Sequence, residues 1–157
     1  MNKLPMTSLG YENLQSELKK LLNEDRPNII AAIAEARSHG DLSENAEYQY
    51  AKEQQSLIEG KIHELEATSC LAELIDVSQL SGNEIKFGAT VEIKDDEKGN
   101  ISKYQIVGEY ESDIEKKKLS INSPLARGLI GKSKTDMVEI NSPKGIKTYT
   151  ILSVKFL

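Results

Sequence analysis

The chain has 157 residues, 25 acidic against 20 basic, for a net charge of −5, with 38% hydrophobic content, one cysteine and no tryptophan. The charge argues against a broad basic face gripping naked nucleic acid. The lone cysteine excludes an intramolecular disulfide and a cysteine-only zinc site. Few aromatics argue against a large aromatic ligand pocket. No apolar run is long enough to span a bilayer and no signal-peptide core is apparent, so a cytoplasmic protein is expected.

The predicted elements begin with an N-cap at Thr7 and a first turn at Ser8. Tyr11, Leu14, Leu18, Leu21 and Leu22 follow at three- and four-residue steps, on one helix face. Pro27 removes an internal hydrogen bond and predicts a kink or short break near Asp25 and Arg26. The pattern resumes at Ile29, Ile30 and Ile33, among alanines that leave room for a partner helix. It stops near Ser38, His39 and Gly40.

A second helix is predicted from about 42 to 75. Its expected buried stripe is Ala46, Tyr50, Leu57, Ile58, Ile62, Leu65, Leu71 and Leu74, and its other faces are charged. Neither helix has a core of its own. They are expected to bury their stripes against each other as an antiparallel coiled-coil hairpin, with residues 38–48 at its tip. A helix of roughly 30 residues is ~45 Å long, so that tip stands far from the hairpin's open end.

After Val77 the period changes. The pattern predicts a hairpin domain over 1–76, a polar linker over 77–82 and a small globular domain over 83–157. In the last, strands are expected over 86–93, 102–107 and 118–122, with a turn over 95–100. Ser123 and Pro124 open a short helix as cap and first residue. A closing hairpin follows over 137–140 and 146–154, around a 142–145 turn. The fold class is α+β, a helical hairpin followed by a small antiparallel sheet with one short helix. Residues 1–76 carry 7 basic and 14 acidic side chains and the remainder 13 and 11, so the hairpin is the acidic part.

Asp41 and Glu44 are the first candidates for chemistry. Hard ions such as Mg²⁺ take oxygen ligands, often one or two carboxylates plus waters and substrate phosphates. The same pair has the spacing of a capping box with Asp41 as N-cap, and acids suit a helix N-terminus. Spacing alone favours the capping role. Arg37 and Lys52 flank the tip, one on each helix, and by themselves read as solvated face residues. His39 fits a C-terminal dipole partner and His63 a surface position. Tyr48 and Tyr50 are expected in the seam, and Cys70 as a small buried residue. There is no phosphate-binding glycine loop, nucleophile elbow or zinc spacing.

Two longer stretches carry a resemblance. The first is Pro27-Asn28-Ile29-Ile30-Ala31-Ala32-Ile33-Ala34-Glu35-Ala36-Arg37, then Gly40-Asp41-Leu42 and Glu44-Asn45-Ala46-Glu47-Tyr48. The second is Asn122-Ser123-Pro124-Leu125-Ala126-Arg127-Gly128-Leu129-Ile130-Gly131-Lys132. Together they resemble the bacterial Gre transcript-cleavage (transcription elongation) factors, the GreA type in particular, over nearly the full length.

The resemblance implies an accessory factor, not an enzyme in itself. It implies a monomer that binds RNA polymerase at the rim of its secondary channel and passes its coiled coil toward the active site. There it stimulates the polymerase's own cleavage of backtracked RNA. Asp41 and Glu44 take the catalytic and metal-binding role, sharing Mg²⁺ with the polymerase, with no cofactor held by the factor alone. Arg37 and Lys52 fall near the nascent RNA 3′ end, lysine at 52 matching the family's arginine only in charge. Asn122, Ser123 and Pro124 fall where the globular domain, similar to the FK506-binding-protein fold, docks on polymerase. With the resemblance, metal chemistry becomes the favoured role of the tip acids, and capping remains compatible with it. A channel-binding inhibitor of the same shape, or a chaperone or prolyl isomerase, are the competing readings.

Overall fold

The computed structural model describes residues 3–40 and 45–157. It divides into two compact units, one formed by residues 11–72 and the other by residues 3–10 together with 73–157. None of the described helices is long and apolar enough to cross a membrane.

The first unit is a helical hairpin. Its first arm is α1 (Ser8–Lys20), a π-helical turn (Leu21–Asp25) and α2 (Arg26–Arg37), and its second arm is α3 (Ala46–Leu71). Gln15 Nε2 donates to Ser69 Oγ at 2.7 Å, Arg26 pairs with Glu59, and Asn45 reaches the Ala36 carbonyl. Partner numbers fall on one arm as they rise on the other, so the arms run antiparallel.

The first arm stays helical across Pro27. Pro27, which has no N–H to donate, falls directly after the π-helical turn, in the first turn of α2. Ahead of it the Arg26 N–H bonds the Leu21 carbonyl, five residues back. The buried stripe explains the irregularity. Leu14 to Leu21 is one heptad and Ile29 to Ala36 another, but Leu21 to Ile29 is eight residues. A π-turn takes up the extra residue and keeps both halves facing α3.

The stripe on α3 differs from the expected one. Tyr50 is 64% exposed and Leu57 67%, whereas Ala51, Ile62 and Leu65 are buried. Inward positions run Tyr48, Ala51, Gln55, Ile58, Ile62, Leu65 and Ser69, an unbroken alternation of three and four. Two of these are polar, which is why a search for apolar residues alone misplaces the seam. Ser69 is acceptable there because Gln15 donates to it. Cys70 lies off this stripe and is exposed, not buried. The helix also ends early. Ala72–Ile75, expected as its last turn, is strand β2 and pairs with β1 (Leu4–Thr7).

In the second unit β3 (Thr90–Asp95), β4 (Ile101–Val107), β5 (Lys118–Ser120), β6 (Met137–Ser142) and β7 (Gly145–Lys155) form one sheet in the order β5-β4-β3-β7-β6. All pairings are antiparallel except β4 with β5, which is parallel. The parallel pair needs a long crossover, supplied by residues 108–117. Val91, Ile93, Ile106, Val138 and Ile151 point from the sheet into a core closed by Ala126 and Leu129 of α4 (Pro124–Leu129). Tyr149 packs against this core, and burial pushes its phenol above the ordinary range.

Candidate functional site at the turn of the hairpin

Asp41 and Glu44 lie outside the described residues. The residues on either side of them are described. α2 runs out at Arg37. The Ser38 N–H bonds the Glu35 carbonyl at 3.0 Å and the His39 N–H bonds the Ala36 carbonyl at 3.2 Å. Gly40 has φ +134°, open only to glycine without strain.

The cap of α3 is Asn45. Its backbone is extended, and its Oδ1 accepts from the Tyr48 N–H at 3.1 Å. The expected cap was Asp41, four residues earlier. Asn and Asp cap about equally well, so composition could not choose between them. The Asn45 Nδ2 donates to the Ala36 carbonyl at 2.6 Å, joining the two arms. Sequence reasoning missed this role. The only signal was an amide residue three positions ahead of Tyr48.

The Arg37 guanidinium lies over the Tyr48 ring, 5.8 Å from its centroid. Tyr48 is half-buried in the seam, which fixes the ring that Arg37 rests on. Lys52 follows Tyr48 by one helical turn on the same face and is exposed, with Nζ 3.1 Å from Gln55 Oε1. Opposite the end of α2, His39 Nδ1 is 3.0 Å from Glu47 Oε2, both groups well exposed. Further down the hairpin, Arg26 meets Glu59 through two 2.8 Å bonds. That contact holds the Glu59 carboxyl below its ordinary range and the Arg26 guanidinium above its own.

The second expected surface is in the sheet unit. Ser123 caps α4, its Oγ accepting from the Ala126 N–H at 3.2 Å and donating to the Ser120 carbonyl at 2.7 Å. Pro124 occupies the first turn of α4, as expected. Asn122 and Pro124 are exposed. Asn122 Nδ2 donates to Glu109 Oε2 at 3.2 Å, so its amide is held away from the cap. Among the described residues, no three His, Cys, Asp or Glu side chains gather in a way that could hold a metal ion.

The chain is thus α+β, a helical hairpin and a unit built on a five-stranded sheet. The comparisons give it a family. Residues 4–73 match the model described as "Transcription elongation factor, N-terminal", and residues 80–156 the one described as "Transcription elongation factor, GreA/GreB, C-term". The chain belongs to the GreA/GreB transcription elongation factor family. It is 53% identical over 157 residues to Transcription elongation factor GreA of Caulobacter vibrioides, covering the whole of both chains. It is 58% identical over 156 residues to the GreA of Beijerinckia indica, covering 99% of each. Among solved structures, the GreA factor homolog 1 of Thermus thermophilus aligns with 98% of this chain and 99% of its own, at 24% identity and a TM-score of 0.46.

Proposed function

We propose that the protein is a cytoplasmic accessory factor that binds RNA polymerase at its secondary channel and stimulates the polymerase's cleavage of backtracked RNA. The hairpin enters the channel, and Asp41 and Glu44 present carboxylates to the second Mg²⁺ of the polymerase active site. Arg37 and Lys52 lie toward the nascent RNA. Asn122, Ser123 and Pro124 belong to the docking surface.

Family membership supports the general role. The observation that carries the catalytic part is the cap of α3. Asn45 supplies it, so the start of that helix does not depend on the carboxylate of Asp41 or of Glu44. Two acids within four residues of each other are then not needed for the cap, and carboxylates suit a hard cation as oxygen donors. Their number fits a shared metal and not a self-sufficient site, because one or two carboxylates hold Mg²⁺ only with waters and substrate phosphates beside them. An ion held there would supply, together with a first one, stabilisation of charge on the attacking and leaving oxygens of a phosphodiester. The chain's own part is to bring two acids and to orient water between them and the RNA, with Arg37 and Lys52 offsetting phosphate charge.

The test uses Asp41→Asn and Glu44→Gln with a stalled, backtracked polymerase complex at limiting Mg²⁺. Amides are far poorer ligands for a hard cation than carboxylates. Each change should cut stimulated cleavage sharply, Asp41→Asn the more, while competition for polymerase is kept. Excess Mg²⁺ should restore part of the loss. Near-normal cleavage by the double variant at limiting Mg²⁺ would refute the catalytic assignment.

A further inference from the structure

We infer that Tyr48 is a positioning residue for Arg37. Its ring carries the guanidinium on one face and leaves the N–H edge of that group open to a phosphate. The inference rests on the reading of Arg37 as lying toward the nascent RNA. The Arg37 Cζ is 5.8 Å from the Tyr48 ring centroid, within the range of a cation–π contact.

The two arginines of the hairpin are held in opposite ways. Arg26 has Nε and Nη2 both committed to the Glu59 carboxylate, each at 2.8 Å. Arg37 makes no ion pair among the described residues. A guanidinium is planar, with its five donors in the plane and none on its faces. A carboxylate partner occupies those donors, whereas an aromatic partner takes a face and leaves them open. Glu47, the acid next to Tyr48 in sequence, is engaged by His39 Nδ1 at 3.0 Å.

The ring is a fixed support. Tyr48 is half-buried on the inward stripe of α3, and its N–H bonds Asn45 Oδ1 at 3.1 Å. Arg37 is exposed at the last position of α2, where a long side chain has many rotamers open to it. Resting on the ring removes part of that freedom before a ligand arrives, which lowers the ordering cost of binding one. Lys52, one turn further along α3, puts a second exposed cation on the same helix face. A planar fork beside a point charge suits the oxygens of a phosphodiester.

The experiment is a double-mutant cycle over Tyr48→Leu and Arg37→Ala in the full-length protein, with Tyr48→Phe alongside, on a backtracked polymerase complex. Cleavage rate is read at saturating factor, polymerase occupancy by competition, and Tm by thermal denaturation. Arg37→Ala should slow cleavage. Tyr48→Phe keeps the ring face and should cleave like wild type; slowing there would assign the effect to the hydroxyl and overturn the inference. Tyr48→Leu keeps apolar bulk and loses the face. It should slow cleavage roughly two- to five-fold at unchanged occupancy, the change that an exposed cation–π contact corresponds to. In the Arg37→Ala background the same substitution should have no further effect. Equal slowing in both backgrounds makes Tyr48 a packing residue and overturns the inference. Wild-type cleavage by Tyr48→Leu beside a slowed Arg37→Ala overturns it too, while leaving Arg37 its role. Wild-type cleavage by Arg37→Ala removes that role and the inference with it. If Tyr48→Leu lowers Tm and occupancy, fluorinated phenylalanine in place of Tyr48 decides, since it keeps the ring and weakens its negative face. A rate that does not fall with fluorination overturns the inference.

Discussion

Glu111 anchors the N-terminal strand to the sheet unit. Its carboxylate accepts from the Thr7 N–H at 2.9 Å, from the Thr7 hydroxyl and from the Gly108 N–H at 3.1 Å. Thr7 is buried, and its own Oγ1 accepts from Gly10 N–H at 3.1 Å, so one carboxylate organises both β1 and the first turn of α1. The surroundings leave no spare room. A Cβ at Gly108 would collide with the Pro5 carbonyl oxygen, and one at Gly10 with the Glu111 carboxylate. Removing the acceptor leaves donors unpaired in a partly buried place, which costs about 1–3 kcal/mol. Glu111→Ala should therefore lower Tm by roughly 2–10 °C for a chain of this size, measured by thermal denaturation. Glu111→Gln should lose less, since its amide oxygen still accepts. An unchanged Tm in Glu111→Ala would show that β1 is held by its pairing and packing alone.

Between elements, the bidentate contact of Arg26 with Glu59 ties the first turn of α2 to the middle of α3. The Glu59 carboxyl is held below its ordinary range, chiefly by the hydrogen bond from Arg26. A carboxyl depressed in the folded state contributes stability that is fully present above its unfolded value. That contribution fades as the pH falls through the lowered folded value. The Tm difference between wild type and Glu59→Gln should thus be small and constant from neutral pH to about 5, then shrink in more acidic solution, where unperturbed glutamate near 4.3 titrates. A difference that grows on acidification would contradict this.

The same elements show what sequence could and could not reveal. The start of α1, the stop at Gly40 and the Ser123-Pro124 opening of α4 were legible because each rests on chemistry within four residues. Strands β4, β6 and β7 fall within two residues of their expected bounds, whereas β3 begins at Thr90, four residues after its expected start. Strands β1 and β2 were not legible: Ala72–Ile75 continues a helical pattern, and its partner lies some 65 residues away. The cap at Asn45 was hidden because Asp41 fitted the same local rule. The seam on α3 was hidden because two of its positions, Gln55 and Ser69, are polar.

For the whole molecule, charge separates the two tasks proposed for it. Residues 1–76 carry a net −7 and the remainder +2. On the proposed function, an acidic hairpin is not drawn toward nucleic acid by attraction, and binding energy on polymerase would come largely from the sheet unit. The two carboxylates proposed as ligands would need further oxygen donors to hold Mg²⁺. Purified protein with Mg²⁺ and RNA should therefore produce no cleavage, and cleavage should appear only when a backtracked polymerase is added, as read from labelled RNA 3′ ends. Cutting by the highly purified factor alone would overturn the accessory role.

The N-terminal strand also sets an order of events at the ribosome. The hairpin is an insertion between residues 10 and 73 of a unit that is discontinuous in sequence. Thr7 meets Glu111 across 104 positions of chain, while every bond within the hairpin closes among residues already synthesised by position 72. The hairpin can thus form as it emerges, its local contacts being the quick kind. Leu4–Thr7 can pair with Ala72–Ile75 once the hairpin is made, but its Thr7 anchor must wait until Glu111 has been translated. A nascent chain stalled before residue 111 would carry its first strand without the carboxylate that anchors Thr7.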